Sequence, residues 1–328
     1  MKNKVILTAA LLSAACLTTT GIISYAKTSD FQNTDTVSGI AIEKQESDET
    51  DSIIRNTLAE PIPSRTLKKA AAYDKADKND IYHMMLNSID YYDKVSGTIY
   101  FPTGDINLVN SVQFQSVLSE TTAYSHFSQI YADNISNYSI DSSSSEAEKV
   151  KNLVYDEEKY CNADESVSMN LIEKSYTTKV GDSISLDCVC EIPDNERITI
   201  AEDGEPCYNY RTNPTNVPEA SICIFPQEMA FGFLADQELW NIDGIEEIDG
   251  NKGYHILGTT TKEYGNKINV SSFEFVVDTD TGVLLKYVGY DSNGEISDYM
   301  YTENIKFEDN ASSVKSYSQA LTDDFQLN

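Results

Sequence analysis

The chain has 328 residues, with 53 acidic against 24 basic side chains and a formal net charge of −29. A field of that sign repels phosphate backbones and anionic lipid surfaces, which excludes nucleic-acid binding as a function class. Six cysteines and three histidines leave little material for thiol or imidazole chemistry.

The N-terminus carries Lys2 and Lys4, an apolar run from Val5 to Ile23, and then Ser24-Tyr25-Ala26. Basic, apolar and small-residue segments in that order make a secretory signal peptide of Met1–Ala26, cleaved after Ala26. Two other readings stay open. Leu12–Cys16 is similar to a lipobox, in which Cys16 is acylated, although Ser13 stands where a branched apolar residue belongs. Val5–Ala26 retained as a membrane anchor is the other, weakened by Thr18–Thr20. All three place the rest of the chain outside the cytoplasm, secreted or surface-associated, with membrane contact only through this N-terminal segment. Twenty lysines against four arginines, with much Asn and Ile, suit a bacterial source.

Lys27–Lys78, rich in Ser, Thr, Asp and Glu, reads as an acidic disordered spacer. Asp80 is the expected cap of an amphipathic helix with Ile81, Met84, Met85, Ile89, Tyr92 and Val95 on one side. After Gly97 the apolar period becomes two, through Ile99 and Phe101 and then Val112, Phe114 and Leu118. Ser145–Glu148 has capping-box spacing before a short helix bearing Val150, Leu153 and Val154. Strands are expected at Val167–Leu171 and Ser183–Ile192, then loop over Pro193–Pro218, and a short helix after Pro226 presenting Met229, Ala230, Phe233 and Leu234.

Five cysteines follow Ala26, an odd number that argues against a complete disulfide framework. Cys188 and Cys190 share the apolar phase of the expected Ser183–Ile192 strand and read as buried thiols. Cys207 and Cys223 are a candidate disulfide across the loop between them.

The last third is clearest. Trp240–Ile248, Tyr254–Gly258, Ile268–Val277, Val283–Tyr290 and Glu295–Phe307 are strands, three of their junctions being Asp- or Asn-first, Gly-last turns. Such turns close short hairpins, because glycine adopts positive φ at little cost. The apolar phase slips between Ile268/Val270 and Phe273/Phe275/Val277, as a β-bulge would leave it. The expected fold is α+β and β-rich: a curved, open antiparallel meander with a few short helices on one side. The half-barrel-like domain spans residues 79–307, and 308–328 is a polar tail.

Gly253-Tyr254-His255-Ile256-Leu257-Gly258, followed by Phe275 through Lys286 with its acidic turn before Gly282, resembles the lipoprotein-carrier (LolA-like) half-barrel superfamily, which includes lipoprotein-binding regulators of envelope stress. The resemblance is strongest over Trp240–Phe307 and looser over Asp80–Leu118. It implies a curved sheet with helices over its concave side and an apolar hollow between them that takes an acyl chain or apolar peptide.

Catalytic signatures are sparse. His83, His126 and His255 belong to no zinc motif, and Ser312–Lys315 matches Ser-x-x-Lys without companion motifs. Asp278–Gly282 starts like a calcium loop, but Val283 and Gly289 stand where that loop needs Gly and Glu. No catalytic residue, metal ligand or cofactor is assigned. The expectation is a non-enzymatic protein binding an apolar small molecule or a lipoprotein for carriage or sensing, with Phe273, Phe275, Leu285 and Tyr287 lining the site. Cleavage at Ala26 would suit a carrier; lipidation at Cys16 or a retained anchor would suit a sensor. The alternative is an adhesion or glycan-binding module that uses exposed tyrosines as sugar platforms; Tyr287, Tyr299 and Tyr301, which fall within the meander, read instead as half-buried sheet residues.

Overall fold

A computed structural model describes residues 66–103, 105–131, 153–202, 204 and 206–327. Ala26, Cys16, most of the spacer and the Ser145–Glu148 cap lie outside these residues.

Asp77 opens helix α1 (Lys78–Leu86), accepting hydrogen bonds from the N–H groups of Asn79 and Asp80 while the Asp80 carboxylate accepts one from the Asp77 N–H. This reciprocal box satisfies N–H groups that have no partner within the helix, and it places the cap three residues before Asp80. Ile81, Met84 and Met85 on α1 are buried as expected, with Ile89, Tyr92 and Val95 buried beyond the helix end.

The strands follow as β1 (Lys94–Thr103), β2 (Asp105–Val117), β3 (Thr122–Tyr131), β4 (Leu153–Cys161), β5 (Glu165–Asn170) and β6 (Ser175–Val180). Next come a separate small hairpin, β7 (Ile198–Ile200) and β8 (Pro206–Tyr208), then β9 (Trp240–Ile248) and β10 (Asn251–Thr259). Helix α2 (Lys262–Ile268) precedes β11 (Ser272–Asp278), β12 (Leu284–Tyr290), β13 (Ile296–Phe307) and β14 (Gln326–Leu327).

Twelve strands form one curved, open sheet in the order β14-β6-β5-β4-β3-β2-β1-β13-β12-β11-β10-β9. Every pairing in it is antiparallel except β14 with β6. The β1–β13 ladder joins the early meander to the late one, as the expected curved antiparallel fold requires. Register shifts in the β1–β13, β3–β4, β9–β10, β11–β12 and β12–β13 pairings mark bulges or irregularities, which bend and twist a sheet locally. Asp249 and Gly250, at φ +53° and +85°, form the two-residue turn between β9 and β10. Gly282 (φ +74°) sits against the Met84 backbone, so a side chain there would push α1 off the turn.

Four local expectations change. The phase slip at Ile268–Val277 is a change of element, since Ile268 closes α2, Asn269 caps it at φ +57°, and the strand starts at Ser272. The register shift opposite Val276/Val277 puts its extra residue, Leu285, on β12, so the expected bulge is not in that span. Leu153 and Val154 begin strand β4, not a helix. Ser183–Ile192 is loop around a 3-10 turn at Leu186–Cys188: Leu186 and Val189 pack on the core, while Cys188 and Cys190 face solvent. Cys207 is exposed and Cys223 buried, and both are free thiols, so the candidate bridge is not formed.

The C-terminal segment is built into the fold. Ser312 N–H donates to Ser96 Oγ on β1, Lys315 N–H to Gln115 on β2, and Lys315 Nζ to Glu158 on β4, before β14 joins β6. At the other end, Lys68 N–H donates to the Asp90 carbonyl, so part of the expected spacer also touches the domain. Among the described residues no helix is long and apolar enough to cross a membrane.

Candidate ligand-binding hollow

Alternation in β10–β12 turns Tyr254, Ile256, Phe273, Phe275, Leu285 and Tyr287 toward one core. Two helical pieces lie on that inner face. One is α1; the other runs from Ser221 to Leu234, with Pro226 at the break and a π-helical turn over Ala230–Leu234. Cys223, Ile224, Phe225, Met229, Ala230 and Leu234 all enter the same core.

The second piece is tied at both ends. Ser88 and Tyr92 hydroxyls donate to the Ile224 carbonyl at 2.7 and 2.8 Å. Gln227 and the Arg211 backbone exchange two hydrogen bonds, and the Arg211 guanidinium holds Asp90 through two contacts of 3.0 Å. Burial opposes charge on Asp90, but hydrogen bonds from Arg211 and Lys68 hold its carboxyl below the usual aspartate value. At the far end Trp240 Nε1 donates to the Leu234 carbonyl at 3.1 Å.

Between these ties stands Phe233. Its ring centroid lies 4.9 Å from Phe273, 5.2 Å from Phe275, 5.3 Å from Tyr264 and 5.4 Å from Tyr287. Edge and tilted contacts of this kind are favourable ring geometries. The four residues expected to line a ligand site are therefore brought to one core, three of them in the Phe233 cup, and each is 2 % exposed or less. Their present occupant is the chain itself. Phe233 is visible in sequence only as an apolar helix position; its role as filler depends on the π turn, which no spacing rule signals.

Of the meander tyrosines, Tyr287 and Tyr299 are buried and Tyr301 is half-buried against Tyr299, in keeping with their reading as sheet residues, whereas Tyr73, Tyr208 and Tyr210 are exposed. On the outer face, Glu246, His255 and Glu274 present ligand atoms within 4.8 Å of one another. Lys286 Nζ already lies 2.6 Å from Glu274 and 3.6 Å from Glu246, so an ammonium supplies the positive charge there. His126 pairs with Asp156 at 2.6 Å on β3 and β4. The Asp278 carboxylate accepts from Asp280 N–H, Thr281 N–H and the Thr281 hydroxyl, which makes that turn self-contained.

No protein-family model matches the chain, and no curated protein does. Solved structures do. The MucA/MucB complex of Pseudomonas aeruginosa matches 75 % of this chain and 60 % of the other at 12 % identity, TM-score 0.33. LprF from Mycobacterium bovis matches 75 % and 100 % at 8 % identity, TM-score 0.31. A LolA superfamily protein from Nitrosomonas europaea matches 70 % and 94 % at 9 % identity, TM-score 0.20.

Proposed function

We propose that the chain is an extracytoplasmic, non-enzymatic protein that binds an apolar ligand, a lipid or a lipoprotein acyl chain, in the hollow now filled by Phe233. The supporting observation is the aromatic cup of Tyr264, Phe273, Phe275 and Tyr287 closed by a side chain from a π-helical turn. Such turns are uncommon and concentrate at functional sites. Burial of apolar area contributes about 25 cal/mol per Å² whatever its source. Exchanging the Phe233 ring for an acyl chain of similar area therefore leaves that contribution nearly unchanged, and the segment can yield its seat at modest cost. The signal-peptide pattern of Met1–Ala26 agrees with a site outside the cytoplasm.

Native mass spectrometry of the purified protein, with solvent extraction of bound lipid, tests the proposal. The expected result is an apolar adduct, either carried from the host or loaded from added lipid at one per chain. A protein that arrives empty and cannot be loaded contradicts it.

A further inference from the structure

The five cysteines among the described residues fall into two sets. Cys161 and Cys223 are buried, and burial holds both thiols above the usual cysteine value, which keeps them protonated and unreactive. Cys188, Cys190 and Cys207 are exposed free thiols. Cys207 lies on β8, whereas Cys188 and Cys190 share one loop and are separated only by Val189.

The turn that carries the pair is fixed from behind. Cys188 closes the 3-10 turn, its N–H donating to the Ser185 carbonyl at 3.0 Å, and the Val189 N–H donates to the Leu186 carbonyl at 3.0 Å. Leu186 and Val189 pack on the inner core, and the Asn216 side chain bonds both the N–H and the carbonyl of Ile184, at 2.8 and 3.2 Å. Val189 has φ −91° and ψ 106°. At those angles the Cα atoms of its two neighbours lie about 6 Å apart, each linked to Val189 through one trans peptide. A disulfide needs a Cα separation of about 4.4–6.8 Å. The backbone as it stands meets that condition, and exposure leaves both side chains free to turn their sulfurs together.

Outside the cytoplasm, where the signal-peptide pattern places the chain, exposed thiols meet disulfides and pair. We propose that Cys188 and Cys190 are a reversible dithiol–disulfide pair that exchanges with low-molecular-weight disulfides. The thiolate of one cysteine attacks the external disulfide, forming a mixed disulfide and releasing one small thiolate. The thiolate of the other then attacks the protein-side sulfur, closing the Cys188–Cys190 bridge and releasing the second small thiolate. Two cysteine thiols are oxidised, one external disulfide is reduced to two thiols, and the two cysteine protons pass to the released sulfurs. A bridge over one intervening residue constrains the unfolded chain very little, and one open to solvent is of the labile, reducible kind. This chemistry is independent of the hollow and of what fills it.

The test exposes the folded full-length protein to cystamine, a disulfide whose positive charge suits a chain of net charge −29. Remaining thiols are then blocked with iodoacetamide, and the protein is unfolded and digested with trypsin. Cleavage after Lys179 and Arg197 releases Cys188 and Cys190 together on one peptide and Cys207 on another. The 180–197 peptide should be lighter by two hydrogens and carry no blocking group, and dithiothreitol added before blocking should restore both thiols. In Cys188→Ser, Cys190 should instead hold cysteamine as a mixed disulfide, because no neighbouring thiol expels it. A 180–197 peptide that retains two cysteamines, stays fully reduced, or is found linked to the Cys207 peptide overturns the pairing.

Discussion

In β10–β12 the strands turn Tyr254, Phe273, Phe275 and Tyr287 inward against the Ser221–Leu234 segment. In β3–β5 the equivalent alternation buries Tyr124, Tyr160, Val167 and Met169 on the outer face, where Val314, Tyr317 and Phe325 of the C-terminal segment cover them. Adjacent residues divide between the two cores: Ala123 and Cys161 join the inner one, Tyr124 and Tyr160 the outer. A strand offers both faces equally, and the segment laid across a face decides which becomes core. The inner covering is helical and carries a single ring into an aromatic cup. The outer covering is extended and closes by strand pairing and by Lys315, which bonds Glu158 and lies over the Tyr124 and Tyr160 rings.

Three changes probe this division, in falling order of effect. Phe275→Ala removes a fully buried ring from the inner core and should cost about 4 kcal/mol in urea unfolding; a loss below about 1 kcal/mol would mean the hollow is not close-packed. The second is pH. Asp278 and Asp298 are raised from 3.8 to about 6 by burial. Between those values the folded state keeps protons that the unfolded chain has lost, so stability falls as pH rises through the window and is recovered on acidification. The urea midpoint should therefore rise from pH 7 to pH 5, by about 2 kcal/mol in stability, and Asp298→Asn should remove part of that rise. Carboxyls held low, such as Asp90 and Glu158, begin to cost stability only below about pH 4. Third, Tyr317→Ala trims the half-buried outer cover and should cost about 1.5 kcal/mol. Its increased amide exchange should be confined to β4–β6 and β14; exchange spreading to β10–β12 would show that the two cores are not separate.

Much of the inner half was legible in sequence because its turns are chemically explicit. Asp249-Gly250 and Asp278–Gly282 fix where strands reverse, and the apolar, β-branched and aromatic content of Trp240–Ile248 and Leu284–Tyr290 marks both as strands. Helix α2 was hidden by Ile268 and Val270, which continue an apolar rhythm into β11, although Thr261 capping the Tyr264 N–H and the left-handed Asn269 are residue types that mark helix ends. The outer cover was not legible: Val314, Tyr317 and Phe325 are too sparse to show a period and acquire meaning only beside Tyr160. Phe273, Phe275, Leu285 and Tyr287, expected to line a site, do share one core, but the Phe233 ring that packs among them comes from a π turn that sequence spacing does not signal.

The measurement that bears most directly on the hollow is the affinity of a fluorescent fatty-chain probe for the full-length protein and for its Phe233→Ala variant. If the ring holds the ligand's seat, the apparent affinity of the unsubstituted protein is reduced by the fraction of molecules in which the seat is open. Removing the ring should then raise saturable, one-to-one binding by about tenfold or more. Equal affinity in the two proteins, or no saturable binding in either, would contradict a ligand seat held by Phe233.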